Sequence, residues 1–318
     1  MTRVLIVKTS SMGDVVHALP ALSDMARHLP GLEADWMVEA PFAAIPALHP
    51  AVRRVLPLAW RKWRKSLWRA DTRGAIAAFR RELRRDRYDL VLDLQGLVKS
   101  AAWGLQARGP LAGYDRASAR EPIAALMYAR RASVPRALHA VERCRRLAAA
   151  HLGYPVPGTA PEFGIVAPRP QWQAPGSCAV LIPCASQASK LWPEADWVAL
   201  GRRFAARGWQ PVLMWGSEAE RRAAERIASG CDGVVPPFLS VRDSAAVLGA
   251  AMAVVGLDTG FSHLGAALGR PTVGIYCDHD PGLTGITGAG PVASAGGKGA
   301  PPSLQQVLEL VGRQIGPL

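Results

Sequence analysis

The chain lacks the long apolar runs and paired cysteines of membrane-spanning or disulfide-bonded proteins. No apolar run approaches the ~20 residues that a spanning helix needs. The five cysteines are scattered, without a C-x-x-C pair, so neither a disulfide framework nor a zinc site is predicted. The first residues lack the charged start, long apolar run and cleavage site of a signal peptide, so none is expected. These absences predict a protein of a reducing cytoplasm, with any membrane contact peripheral.

A dinucleotide-binding fingerprint is also missing. The first strand-like run, RVLIV, leads into the loop KTSSMGD and not into G-x-G-x-x-G. An NAD-dependent oxidoreductase is therefore disfavoured.

Positive charge is abundant, but only in the first half of the chain. The formal net charge of +13 arises from 26 basic and 13 acidic residues among the first 150, whereas the remainder has 12 of each. This asymmetry indicates that one domain meets a polyanion: a nucleic acid, a phosphorylated lipid or an anionic membrane surface. A nucleic-acid-binding protein is thus the alternative from another class. No recognised nucleic-acid-binding motif is present, and we predict no nucleic-acid partner.

Apolar strand-like runs alternate with helical patterns, which predicts an α/β fold with doubly wound parallel sheets. A Pro- and Gly-rich stretch divides the chain into a first domain of residues 1–160, a linker of 161–176 and a second domain of 177–318. A second Gly- and Pro-rich stretch, 281–302, precedes a last helix that can cross back onto the first domain. Two Rossmann-like domains facing across a cleft are typical of a glycosyltransferase.

Residues 59–69, AWRKWRKSLWR, form what we call the basic segment. Its three tryptophans and Leu67 follow an i, i+3, i+7, i+8 spacing, and cations fill most other positions. This pattern predicts a basic amphipathic helix, suited to an anionic bilayer or to a phosphorylated lipid head group. The alternative is a surface helix whose tryptophans belong to the core.

A strand, a tight turn and a helix start are predicted in AVVGLDTGFSHLGAALGRP, residues 253–271. The first N–H groups of such a helix have no intrahelical partner and bind phosphate well. Asp258, at the end of the strand, is placed to accept hydrogen bonds from sugar hydroxyls. The alternative is that Asp258 only caps a buried helix.

Several motifs carry a resemblance to a known family: KTSSMGDVVHALPAL, DLQGLVKSA, LHAVER, the lysine before LWP, and LDTGFSHL. Over residues 4–281 the chain resembles the lipopolysaccharide heptosyltransferase I family. The resemblance implies the GT-B fold and ADP-L-glycero-β-D-manno-heptose as the donor. It also implies inverting transfer of heptose to the first Kdo of Kdo-lipid A, in the lipopolysaccharide inner core. A heptosyltransferase II-type enzyme, which adds a later core heptose, is the alternative.

The resemblance also implies residue roles. Asp14, in SSMGD, matches the catalytic base, although aspartate at that position is also favoured as a plain helix cap. The donor-binding positions lie in the second domain: Ser186, Lys190, Glu220, Leu239, Asp258, Thr259, Gly260 and His263. For the acceptor, the strand ends place Ser10, Gly13 and Gln95 at the binding edge of the first domain. The resemblance adds the basic positions Arg61, Lys62, Arg64, Lys65, Arg120 and Arg143.

One stretch departs from the family pattern. Residues 185–189 read ASQAS where the family has two threonines, so Ser186 must stand in for a phosphate-binding hydroxyl. Lys190 and the N–H groups at Gly260 would stabilise the departing ADP without a metal, and neither a metal site nor a cofactor is predicted. The expected location is the cytoplasmic face of the inner membrane of a Gram-negative bacterium, in peripheral contact.

Overall fold

The computed structural model describes residues 1–156 and 158–318, and the chain divides into the units Met1–Thr159 and Ala160–Leu318. Both units are α/β, each with its own parallel sheet. The predicted linker, 161–176, contains neither helix nor strand and belongs to the second unit. No helix in the described residues is long and apolar enough to cross a membrane.

The first unit has six parallel strands in its described part, in the order β3-β2-β1-β4-β5-β6. The strands are β1 (Thr2–Val7), β2 (Leu32–Glu39), β3 (Val52–Leu58), β4 (Leu90–Asp93), β5 (Leu111–Tyr114) and β6 (Arg130–Ala132). The α-helices are α1 (Met12–His28), α2 (Ala44–Ala47), α3 (Trp60–Trp63), α4 (Ala70–Leu83), α5 (Val98–Gly104) and α6 (Ala140–Leu152), with 3₁₀ turns at Ala40–Phe42 and Pro122–Met127.

The second unit has five parallel strands in its described part, in the order β11-β10-β9-β7-β8. The strands are β7 (Cys178–Ile182), β8 (Gln210–Leu213), β9 (Ala253–Leu257), β10 (Thr272–Tyr276) and β11 (Val292–Gly296). The helices are α7 (Glu194–Ala206), α8 (Glu218–Gly230), α9 (Val241–Ala250), α10 (Gly260–Ala267), α11 (Pro281–Thr284) and α12 (Leu304–Ile315), with a 3₁₀ turn at Ala188–Lys190.

Central strands in both units are apolar because helices cover both faces of a parallel sheet. In β1 and β9, Val4 to Val7 and Ala253 to Leu257 are buried. The last helix, α12, packs on α7, β10 and β11, where Val307 and Val311 enter the core of the second unit. This topology brings the loops after the strands to the carboxyl edge of each sheet, where ligands of such folds bind.

Candidate functional site

In the second unit, Lys190 and Asp258 form an ion pair at the carboxyl edge of the sheet. Lys190 ends the 3₁₀ turn that follows β7, and Asp258 follows the neighbouring strand β9. Lys190 Nζ lies 2.7 Å from Asp258 Oδ2, and the side chains are 24% and 14% exposed. A cation and a carboxylate predicted to bind the same ligand are therefore adjacent and partly open to solvent.

His263 adds a third polar group to this pair. One turn into α10, its Nε2 lies 3.4 Å from Asp258 Oδ1. Burial would raise the pKa of Asp258, but hydrogen bonds from His263 and Lys190 lower it to about 2. Asp258 is thus an ionised acceptor with both oxygens oriented, as sugar-hydroxyl recognition requires.

The start of α10 lies directly beside the pair. Thr259 is the N-cap residue, but its buried Oγ1 has no hydrogen-bond partner among the described residues. The first N–H groups, from Gly260 onward, have no intrahelical acceptor. Helix and strand approach so closely that a Cβ at Gly256 would overlap Ser262 Oγ. A hydroxyl and a helix N-terminus beside a lysine make a suitable seat for a diphosphate.

Glu220 and Leu239 lie on two neighbouring segments of the second unit. The Glu220 carboxylate accepts the Gly216 N–H at 2.8 Å. Trp215, next to Gly216, donates its indole N–H to the Pro236 carbonyl at 2.8 Å, which ties this loop to the segment that carries Leu239. The sequence analysis missed Phe238, which is 67% exposed and packs edge-on against Trp215. An exposed aromatic ring beside Leu239 offers a flat face on which a nucleobase can stack.

Ser186 is exposed, in the loop where the sequence departs from the family pattern. Another serine of that loop is engaged instead: Ser189 donates a hydrogen bond to Asp278, which follows β10. The loop is therefore fastened across the edge of the sheet, while the Ser186 side chain remains at the surface.

In the first unit, Asp14 lies in the first turn of α1 and is 26% exposed. Its Oδ2 accepts the Ser11 N–H at 2.7 Å and the Ser11 hydroxyl at 2.9 Å, so Asp14 is the N3 acid of a capping box whose N-cap is Ser11, and not the N-cap itself. Lys8 and Arg120 each approach a carboxylate oxygen to 4.0 Å. Burial would raise the pKa of Asp14, but Lys8, Ser11 and Arg120 together lower it.

Gln95 holds the loop that precedes Asp14. Its Oε1 accepts the Thr9 N–H at 2.6 Å and the Thr9 hydroxyl at 2.8 Å, and its Nε2 donates to the Ser10 carbonyl at 2.5 Å. The fully buried Asp93 accepts the Gln95 N–H at 2.8 Å and orders the turn that carries it. The Gln95 amide is thus used within the protein, which favours positioning of the Asp14 loop over direct contact with a ligand.

The basic segment is not the helix that its pattern predicts. Only Trp60–Trp63 is helical, and turns follow. Trp63 is buried against Phe79 and Trp103, and Trp60 packs edge-on against Trp103, whereas Trp68 is 73% exposed. The prediction of one amphipathic helix with a shared aromatic face was wrong, because Trp60 and Trp63 pack against the core of the first unit. Like charges at i, i+3 and i+4 would also disfavour a longer helix.

The cations of the basic segment remain at the surface. Arg61, Lys62, Arg64 and Lys65 are all exposed. Arg120 is 63% exposed, whereas Arg143 is half-buried, donates to the Ser118 carbonyl at 2.6 Å and stacks on Tyr114. Arg143 is therefore held by a backbone carbonyl and an aromatic ring, and it is less exposed than the other predicted acceptor cations.

The sequence analysis missed two lysines at this edge, of which Lys8 is buried and Lys99 is half-buried. Lys8 follows β1 and donates to the Leu94 carbonyl at 3.0 Å, and Lys99 in α5 donates to Ser10 Oγ at 3.1 Å. Both lie inside motifs that resemble the family. A lysine at the end of an apolar parallel strand is itself a signal, because burying its charge is costly unless a partner is near.

Residues 1–156 and 158–318 contain no group of three or more His, Cys, Asp or Glu side chains that could hold a metal ion.

Two Rossmann-like units, one with a cation and a helix N-terminus beside an ionised carboxylate, define a glycosyltransferase of the GT-B class. Residues 76–305 match the sequence profile of Glycosyltransferase family 9 (heptosyltransferase). The chain belongs to this family, which confirms the resemblance and disfavours the nucleic-acid-binding alternative.

The relatives agree with this assignment. The chain is 47% identical over 290 residues to lipopolysaccharide heptosyltransferase 1 of Pseudomonas aeruginosa, covering 90% of this chain and 81% of the relative. The structure of the E. coli heptosyltransferase WaaC with ADP matches with a TM-score of 0.91 and 42% identity, over 98% of this chain and 100% of that one. WaaC with ADP-2-deoxy-2-fluoro heptose matches with a TM-score of 0.86 and 41% identity, over 98% of each chain. The predicted α/β fold with two Rossmann-like domains is thereby confirmed.

Lys8, which lies 4.0 Å from the Asp14 carboxylate, gives a prediction about the pH dependence of activity. Lys8→Met removes the cation that contributes most to lowering the pKa of Asp14, so that pKa should rise. If Asp14 is the base, the acidic limb of the kcat/KM profile should move to higher pH. Initial rates across the pH range measure this shift. Lys99→Met, which removes a neighbouring cation that donates to Ser10, should leave the limb in place, and an unmoved limb in Lys8→Met would contradict the coupling.

Proposed function

We propose that this glycosyltransferase moves L-glycero-D-manno-heptose from ADP-heptose to the first Kdo of Kdo-lipid A, with inversion. The observation that carries the proposal is the Lys190–Asp258 pair beside the N-terminus of α10, 2.7 Å apart, in a chain so similar to a heptosyltransferase that binds ADP. A heptosyltransferase II-type activity is not favoured, because the relatives that are 45–47% identical over about 90% of the chain are named lipopolysaccharide heptosyltransferase 1.

Donor binding is proposed for the second unit. Lys190 and the first N–H groups of α10 would hold the diphosphate and stabilise the negative charge that develops as ADP leaves. Asp258 would accept hydrogen bonds from heptose hydroxyls, and Glu220 from the ribose. Leu239 and the exposed Phe238 ring would cover the adenine.

Acceptor activation is proposed for Asp14. Transfer has an oxocarbenium-like transition state, and the attacking hydroxyl must lose its proton. Asp14 is ionised and partly exposed, so it can take that proton. Its lowered pKa makes it a weak base at rest, and its strength must come from placement rather than basicity. The exposed cations of the basic segment and Arg120 would bind the acceptor's phosphates and carboxylates.

We also propose that the reaction needs no metal and that the protein works in the cytoplasm, on the inner face of the inner membrane. The anionic acceptor is a lipid, and the positive charge of the first 150 residues suits both the acceptor and an anionic bilayer. These features support peripheral contact.

One assay tests the proposal. The protein is incubated with ADP-heptose and Kdo-lipid A, and ADP release and product mass are followed with and without a metal chelator. We expect one added heptose in both conditions. Acceptor that already carries the first heptose serves as the control, and preferential use of that substrate would support the heptosyltransferase II alternative. Loss of turnover with chelator, restored by a divalent cation, would contradict a metal-free reaction.

The basic segment gives a further prediction. Replacing Arg61, Arg64 and Lys65 with Ser should raise the acceptor KM by about 100-fold, because charge-assisted hydrogen bonds to phosphate are lost. The donor KM should change little. Steady-state kinetics with each substrate varied in turn separates the two effects, and high salt should act like the substitution.

A matched control removes the same charge elsewhere. Arg80, Arg81 and Arg84 are exposed cations of α4 and its C-cap. Their replacement with Ser should leave the acceptor KM near the wild-type value. Equal effects of the two triple variants would mean that only overall charge matters, and the acceptor site would then have to be sought around Arg120.

A further inference from the structure

Glu39 is a buried carboxylate that the proposed mechanism does not use. It is the last residue of β2, and its N–H donates to the Thr9 carbonyl at 3.0 Å, so its backbone is fixed to the loop that leads to Asp14. The residue is 1% exposed. Neither carboxylate oxygen makes a well-aligned hydrogen bond among the residues that the structure describes, although the Arg61 backbone N–H lies near enough to favour the charged form. A buried carboxylate so weakly paired is costly to a fold, so its presence calls for a reason.

Three cations from two elements act electrostatically on this carboxylate. Arg61 and Arg64 come from the basic segment, and Lys99 comes from α5. Burial raises the pKa of Glu39, against the opposing influence of the Arg61 N–H and of these three charges. The same lysine donates to Ser10 Oγ, a predicted acceptor-binding residue. Glu39 thus lies behind the cations that are expected to meet the acceptor.

A second contact holds Arg61 in the same place. Its guanidinium lies 5.4 Å from the ring centroid of Phe42, in the 3₁₀ turn that begins directly after Glu39. A cation over an aromatic face is attracted to it, and a buried negative charge behind adds to that attraction. The short stretch from Glu39 to Phe42 is therefore a fixed support for the exposed start of the basic segment.

We propose that Glu39 is a positioning residue of the acceptor site, whose buried carboxylate holds Arg61, Arg64 and Lys99 in the arrangement that binds the acceptor's anionic groups. This inference rests on the proposed binding of the acceptor by the basic segment. Glu39 itself does not touch the acceptor. Its role is to order long, flexible side chains before the acceptor arrives, which lowers the entropy lost on binding.

Glu39→Gln tests the inference, since it keeps the shape and removes the charge. We expect the acceptor KM to rise about 10-fold with kcat and the donor KM nearly unchanged. Thermal stability at neutral pH should stay the same or increase, because the cost of a weakly paired buried charge is removed. A residue with only a structural role would lower stability and leave the KM alone. Glu39→Asp, which retains the charge, should recover part of the wild-type acceptor KM.

The opposite electrostatic result is equally informative. If the carboxylate only weakens the positive field, its neutralisation should lower the acceptor KM, and that outcome would overturn the proposal. An unchanged KM would overturn it too. Glu33→Gln is the matched control, because Glu33 lies near the other end of β2, paired with Arg3 at 2.5 Å, and should not affect the acceptor.

Comparison with the triple variant separates the two ideas. If replacing Arg61, Arg64 and Lys65 leaves the acceptor KM unchanged, the proposed acceptor surface is wrong whatever Glu39 does. If the triple variant weakens acceptor binding and Glu39→Gln does not, the surface is correct and the positioning role is wrong.

Discussion

Asp14→Asn should lower kcat by about 10³-fold while ADP binding is retained, because general-base catalysis is typically worth about 10²- to 10⁴-fold. The substitution removes the proton acceptor but keeps an oxygen for the two Ser11 donors that Asp14 caps at 2.7 and 2.9 Å. The first turn of α1 should therefore keep its geometry. Transfer is measured with saturating substrates, and ADP affinity is measured by calorimetry.

Stability provides the control for this variant. Because the pKa of Asp14 is lowered in the folded state, its charge stabilises the fold above the unfolded pKa and that contribution is lost as pH falls through the folded pKa. Any loss of stability in Asp14→Asn should therefore shrink towards acidic pH. Turnover within threefold of wild type would show that Asp14 is a helix cap and not the base.

The sequence predicts helices and strands well where burial of apolar side chains dominates their formation. The first strand, Thr2–Val7, contains the RVLIV run, and the strand Ala253–Leu257 and helix Gly260–Ala267 lie where the pattern of residues 253–271 predicts them. A short apolar run flanked by turn residues is consistent with few structures other than a buried parallel strand. The strand Val292–Gly296 was missed, because small residues inside a Gly- and Pro-rich stretch carry no strand signal.

The basic segment shows why spacing alone was insufficient. Its pattern fits a helix, but the periodicity does not reveal that Trp63 enters an aromatic cluster with Phe79 and Trp103. Long-range packing of this kind overrides local propensity. The sequence could place Asp14, Lys190 and Asp258 at strand ends, because parallel topology sends these ends to one edge. It could not show that the Gln95 side-chain amide forms hydrogen bonds with Thr9 and Ser10, since those contacts join residues 85 or more positions apart.

The ion pair between Lys190 Nζ and Asp258 Oδ2, 2.7 Å apart, couples the two residues of the proposed donor site. Lys190→Met should weaken ADP binding by about 10- to 100-fold, because a charged hydrogen-bond donor to the diphosphate is lost. Asp258→Asn should keep or improve ADP affinity, because it frees Lys190 for the diphosphate, and should lower transfer through loss of a sugar-hydroxyl acceptor.

Calorimetry with ADP on both single variants and on the double variant completes a double-mutant cycle for Lys190 and Asp258. The double variant should bind ADP like Lys190→Met, since Asp258 acts on ADP only through the lysine, and non-additivity of about 0.5–3 kcal/mol is the usual signature of such contact. Arg226→Met, which breaks the exposed Arg226–Glu194 pair of the same unit at 2.5 Å, is the control and should leave ADP affinity unchanged. If Asp258→Asn lost ADP affinity and Lys190→Met kept it, the two roles would be exchanged, and α10 alone would have to hold the diphosphate.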